Sequence, residues 1–152
     1  ENKSDILKAV GFLQNELTAL GLNVEIIETD GNPLVYAQTA QEPDKPTVLF
    51  YGHYDVQPVD PLDLWDSPPF EPTIRDGVIY ARGGSDDKGQ LYSHIKALEA
   101  FVKTGTPIPA NIKIIFEGEE ECGGESIYKF TEANPDKLSC DALIVSDTSL
   151  YN

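Results

Sequence analysis

The chain contains no methionine, a single tryptophan and only two cysteines, Cys122 and Cys140, in 152 residues. Two cysteines in a chain of this length exclude a disulfide framework and make a reducing, cytoplasmic compartment the default expectation. With no methionine, the native start is expected to lie outside this sequence. No run of eighteen apolar residues occurs, so no membrane-spanning helix is expected. No secretory signal opens the chain. Basic residues are scarce: 11 Lys and Arg stand against 26 Asp and Glu, for a net charge of -15. Such a balance repels phosphate backbones and anionic lipid, so neither nucleic acid nor a membrane is an expected partner. Gly83-Gly84 lacks the spacing of a phosphate-binding or dinucleotide loop, which disfavours a nucleotide-binding domain.

What is present suits one globular domain. Hydrophobic residues make up 40% and charged residues 24%, enough for a core without staples. Ile6, Leu7, Val10, Leu13, Leu17 and Leu20 recur at helical spacing over 4–20, with Ser4 as N-cap and Gly21 as stop. Two strands, 24–28 and 34–38, flank the turn Asp30-Gly31-Asn32-Pro33. The apolar run 47–52 suits a strand buried on both faces. Residues 56–72 are rich in Pro and Asp and read as loop, and 74–79 read as a hairpin around Asp76-Gly77. A helix is expected over 88–103, with Leu91, Ile95, Leu98 and Val102 on one face and Gly105 ending it. A strand over 111–116, a helix over 125–133 stopped before Pro135, and a strand over 141–145 follow. This alternation predicts an α/β fold of three layers, with a mixed, mostly parallel sheet and helices on both faces.

Each of the three apolar strands runs into chemistry. The first ends in Gly52-His53-Tyr54-Asp55, the second in Glu117-Gly118-Glu119-Glu120-Glu121, the third in Ser146-Asp147. Sites in open α/β sheets form beyond the carboxyl ends of strands, so one imidazole and several carboxylates are expected on one rim. The loop Gly83–Gly89, opening the long helix, adds Asp86 and Asp87. Crowded carboxylates repel, and a divalent cation relieves that repulsion by using them as ligands. Imidazole plus carboxylate suits Zn2+, with Mn2+ or Co2+ as substitutes. His53 and Asp55 share a strand face, so Asp55 is placed to orient the His53 ring.

Three segments make the reading specific. Gly52-His53-Tyr54-Asp55-Val56-Gln57-Pro58, Arg82-Gly83-Gly84-Ser85-Asp86-Asp87-Lys88-Gly89 and Glu117-Gly118-Glu119-Glu120-Glu121 with Gly123-Gly124 resemble, in order, the signatures of the M20 metallopeptidase family. That family includes carnosinase-like dipeptidases, carboxypeptidase G2, aminoacylases and succinyl-diaminopimelate desuccinylase. Trp65 with Pro68-Pro69-Phe70 is similar to the dipeptidase branch. The resemblance implies two zinc ions per active site. His53 and Asp147 would bind one, Asp86 would bridge both, and Glu121 would bind the second. Glu120 would be the general base that takes a proton from a zinc-activated water and returns it to the leaving amine, with Asp55 supporting His53. It also implies a cis Asp86-Asp87 peptide and a homodimer in the full-length form. The family's last zinc ligand, a His near the C-terminus, and its lid or dimerisation domain have no counterpart here; His94 does not match. The chain is therefore expected to be the first part of a catalytic domain, short of one ligand, with doubtful activity alone and an unpaired sheet edge that invites self-association.

Plainer readings stand beside these. Asp86 and Asp87 suit a helix cap. The run Glu119–Glu121 suits a solvated acidic turn, and chemistry alone allows Glu120 and Glu121 to exchange roles. Ser146-Asp147-Thr148 suits a simple turn. Cys122 is a small packing residue or a soft zinc ligand, the former favoured. His94 is expected on a surface or half-buried helix position, and Arg82 to position backbone or substrate. The expected activity is hydrolysis of amide bonds in dipeptides or peptide ends, with N-acyl amino acid deacylation or a non-catalytic metal-binding module as alternatives.

Overall fold

The computed structural model describes residues 3–148. Its elements are α1 (Lys3–Ala19), β1 (Asn23–Ile27), β2 (Leu34–Gln38), β3 (Thr47–His53), β4 (Thr73–Arg75), β5 (Val78–Tyr80), α2 (Lys88–Thr104), β6 (Asn111–Glu117), α3 (Glu125–Ala133), α4 (Pro135–Leu138) and β7 (Ala142–Val145). Helix α1 buries Ile6, Val10, Leu13 and Leu17 of the expected apolar set, while Leu7 is exposed and Leu20 lies just past the helix end. It ends where Gly21 turns left-handed: Gly21 N–H reaches Thr18 O at 2.9 Å and Leu22 N–H reaches Leu17 O at 3.2 Å. Ser4 lies inside this helix rather than capping it. Helix α2 buries Leu91, Ile95 and Leu98 and closes on left-handed Gly105, while Val102 faces outward.

Five strands form one sheet in the order β1-β2-β6-β3-β7. The expected mixed sheet is present: β1-β2 and β2-β6 are antiparallel, whereas β6-β3 and β3-β7 are parallel. Strands β4 and β5 pair in a separate hairpin. One face of the sheet packs on α1 and α2 through Val35, Ala37, Ile112, Ile114 and Phe116. The other carries Leu34, Tyr36, Leu49 and Ile115 against Ile127, Phe130 and Leu138 of α3 and α4. Helices thus cover both faces.

Strand β6 is the central, most buried strand. Strand β3 is only partly buried, because its other neighbour, β7, is an edge whose Leu143, Ile144 and Val145 are exposed. The parallel register sets His53 opposite Glu117 and Tyr51 opposite Val145. All three strands therefore stop at one level, and their following residues meet at one rim.

Candidate metal centre

His53 ends β3 and is fully buried, with a relative exposure of 0%. Its Nε2 lies 2.9 Å from Asp86 Oδ1 and 3.6 Å from Asp147 Oδ2. Its Nδ1 faces Asp55 Oδ1 at 3.3 Å, the pairing expected from the sequence, although β3 ends at His53 and Asp55 follows it outside the strand. The other oxygen of Asp55 accepts the Glu121 N–H at 3.1 Å. One buried carboxylate therefore braces both the imidazole and the loop after β6. Asp87 occupies the position before α2 but makes no side-chain cap bond. Its carboxylate is buried and accepts the His53 N–H at 3.2 Å instead, which corrects the helix-cap reading for this residue. The Asp86-Asp87 peptide is cis, as the resemblance implies. Asp86 itself stays exposed at the rim.

The acidic run divides by function of place. Glu117 is buried at the end of β6 and accepts a hydrogen bond from the Tyr51 hydroxyl at 2.5 Å. Glu119 accepts the N–H of Asn32 at 3.2 Å on one oxygen and that of Ser126 at 3.1 Å on the other. Glu120 and Glu121, on a single 3-10 turn, are left to face the rim. Glu121 Oε2 accepts the Gln57 amide at 2.5 Å.

The electrostatics are those of a rim short of positive charge. Burial works against charging His53, but the adjacent Asp55, with Asp87 and Asp147, outweighs it and lifts the imidazole to about 9. Burial lifts Asp87 to about 6, against the opposing pull of His53. Burial, with Asp147, Glu121 and Asp55 nearby, raises Glu120 above the usual carboxylate range. Burial also raises Glu117, despite the Tyr51 hydrogen bond. Among the described residues, Arg82 Nε, Asp87 Oδ1 and Glu117 Oε2 are buried without a hydrogen-bond partner, and His53 Nδ1 and Asp55 Oδ1 have only each other, at 3.3 Å.

This donor set fits a divalent cation. His53, Asp86 and Glu121 offer ligand atoms within 4.8 Å of one another, and so do His53, Glu120 and Asp147. The geometry brings together all four residues named as ligands from the sequence, plus Glu120, and does not by itself separate base from ligand. Cys122 belongs to neither group; it is exposed, with its thiol 3.5 Å from Glu119 O. His94 stands apart as well: its Nε2 meets Ser146 Oγ at 2.7 Å, its ring lies 4.7 Å from Phe50, and burial lowers its pKa. Arg82 positions backbone, donating to Pro58 O at 3.0 Å and lying over Trp65. Sequence reasoning missed Gln57, Asp87 and Asn32 as supports. Gln57 and Asp87 sit within recognised segments, while Asn32 gave no signal beyond its turn.

A mixed sheet whose parallel strand ends converge on one imidazole and several carboxylates defines the class: a candidate metal-dependent hydrolase. The chain belongs to peptidase family M20/M25/M40, whose family model matches residues 49–152. It is 39% identical over 158 residues to human Beta-Ala-His dipeptidase, covering 95% of this chain and 31% of that protein. It is 35% identical over 156 residues to the Cys-Gly metallodipeptidase dug1 of Schizosaccharomyces pombe, covering 94% of this chain and 33% of that protein. Its fold superposes on the crystal structure of human carnosine dipeptidase 1 with a TM-score of 0.90 at 32% identity, covering 95% of this chain and 33% of the other. The chain thus spans about a third of the length of the curated relatives it matches. Among the described residues no helix is long and apolar enough to cross a membrane.

Proposed function

We propose that this chain is the metal-binding part of the catalytic domain of a zinc dipeptidase, which hydrolyses the amide bond of dipeptides or peptide ends. The observation that carries the reading is the buried imidazole of His53, whose Nε2 looks out at Asp86 and Asp147 across a rim shared with Glu120 and Glu121. In this reading His53 and Asp147 would hold one zinc, Asp86 would be shared between the two and Glu121 would hold the second, with Mn2+ or Co2+ as substitutes. When bound, such a metal pair supplies Lewis acidity that acidifies water and polarises an amide carbonyl.

The chain's own residues do the rest. Asp55 fixes the His53 ring through Nδ1 so that Nε2 is presented as a ligand atom. The same carboxylate holds the Glu121 backbone, and Gln57 holds the Glu121 side chain. Glu120, exposed at the rim with a raised pKa, accepts the proton of the attacking water and delivers it to the leaving amine. In this reading a lid and the remaining ligand would come from residues outside this sequence, as the greater length of the relatives suggests, in a cytoplasmic homodimer. Without that ligand, residues 1–152 alone are not expected to turn over an amide substrate.

Calorimetric titration of the metal-free chain with Zn2+ tests this. One tight ion per chain is expected, lost in Asp86→Ala. No binding, or undiminished binding by Asp86→Ala, overturns the metal centre. Amide-hydrolase turnover by the 152-residue chain overturns the incomplete site. A preference of the full-length enzyme for N-acyl amino acids over dipeptides moves the substrate to the deacylase class.

A further inference from the structure

The β1–β2 turn, residues 29–33, lies outside the segment matched by the family model, yet it touches the loop that bears Glu120 and Glu121. Asn32 Nδ2 donates to Gly118 O, and Asn32 N–H donates to Glu119 Oε1 at 3.2 Å. The turn is braced from within: Thr29 Oγ1 accepts Gly31 N–H at 3.0 Å and donates to Asn32 O at 2.9 Å. It is braced from outside by Tyr54, whose hydroxyl donates to Pro33 O. The approach is close on both sides. A Cβ on Gly31 would fall 1.5 Å from Glu119 Oε1, and one on Gly118 would fall 2.4 Å from Tyr54 Cζ. Ser126 N–H occupies the second oxygen of Glu119 at 3.1 Å.

We infer that Asn32 is a positioning residue for the metal centre, clamping the Gly118-Glu119 backbone so that Glu120 and Glu121 face the rim. The inference rests on the metal-centre reading above. The chemistry of position 32 is one-sided: the group facing its side chain, the Gly118 carbonyl, is an acceptor, so the side chain must donate, while the Glu119 carboxylate is met by the Asn32 backbone N–H. An amide does so; an aspartate of the same shape sets oxygen against oxygen. The Glu119 carboxylate, with the Asn32 N–H on one oxygen and the Ser126 N–H on the other, is turned away from the rim, which leaves its two successors as the available donors.

The experiment is a Co2+ titration of the metal-free full-length protein, followed by visible absorption, with melting temperature measured in parallel. Asn32→Ala is expected to weaken one of the two Co2+ ions about tenfold, the low end for groups that orient ligands, and to shift its visible bands while the other ion is unchanged. Asn32→Asp is expected to weaken it further. Asn111→Ala is the control. It removes a buried amide that bridges Glu42 and Lys45 at the opposite end of β6. This control should lower the melting temperature and leave both ions alone. Equal effects of Asn32→Ala and Asn111→Ala on Co2+, or wild-type affinity in Asn32→Asp, overturn the clamp. Should Asn32→Ala fail to fold, Tyr54→Phe keeps the ring and removes the hydroxyl, and unchanged Co2+ binding there overturns it equally. Retention of both ions by Asp86→Ala is a separate failure, which removes the metal centre and the clamp with it.

Discussion

The two ends of β6 carry similar side chains to opposite effect. At its start, Asn111 is buried and saturated: its oxygen accepts Glu42 N–H at 2.7 Å, and its amide donates to Glu42 O at 2.9 Å and Lys45 O at 3.1 Å. At its end, Glu117 is equally enclosed, but only one of its oxygens has a partner. Beside it Asp87 also holds a buried oxygen without a partner, and His53 Nδ1 and Asp55 Oδ1 have only each other, whereas among the described residues none of the unpartnered atoms lies at the Asn111 end. Buried polar groups are normally satisfied, because each one left unmade costs about 1–3 kcal/mol. One end of the sheet is built for stability. The other crowds buried carboxylates around His53, behind the rim where Asp86, Glu120, Glu121 and Asp147 offer ligand atoms.

The comparison can be broken most decisively at the rim. Glu120→Gln in the full-length enzyme should lower kcat by about 10²–10⁴-fold, the usual contribution of a general base, with zinc affinity retained; steady-state kinetics beside calorimetry will show it. Unchanged kcat would remove Glu120 as base. Next in size is the core that supports both ends. Ile114→Ala, in a fully buried position of β6, should cost about 2–5 kcal/mol in denaturant unfolding. Such a loss with unchanged metal stoichiometry would confirm that stability and site are separable.

Acidity sharpens the same contrast. The metal-free fold holds a proton on His53 up to about pH 9, whereas a free imidazole releases it near 6.5. That contribution is complete below 6.5 and lost as pH rises through about 9. Asp87, lifted from 3.8 to about 6, acts in the same direction at lower pH, since the folded form again holds the proton longer. The melting temperature in chelator should therefore fall as pH rises from 6.5 to 9, and added zinc should reverse the slope. A flat profile would mean that the carboxylates do not hold the His53 proton. At β7, Ile144→Lys on the exposed edge should reduce self-association seen by light scattering, because a charge blocks edge pairing. Smallest of all, Lys8→Ala removes an ion pair with Asp5 that is exposed on both sides, and the melting temperature should not move.

Local chemistry made much of this protein legible without coordinates. Helices α1 and α2 follow from apolar residues spaced to one face and from Gly21 and Gly105, because those signals are read within a few residues of themselves. The apolar runs ending in His53, Glu117 and Asp147 announced a shared rim, since parallel strands must present their carboxyl ends together. The acidic run was legible as chemistry but not as a division of labour. Glu117 and Glu119 turn to Tyr51, Asn32 and Ser126, and nothing in the spacing of four nearby glutamates says which will be tied down.

The sequence by itself determined the order of the main elements, though not the short helix α4, the mixed α/β class and the residues available to a metal. Only the tertiary structure decided which of them are held and by what. Gln57 reaches Glu121 across 64 residues, His94 reaches Ser146 across 52, and Asn32 reaches Gly118 across 86. Asp87, adjacent to a recognised ligand, turns back to the His53 backbone instead of capping its helix. These contacts are set by strand register and by layers packing on a common sheet, so they arise from distances that no local pattern encodes.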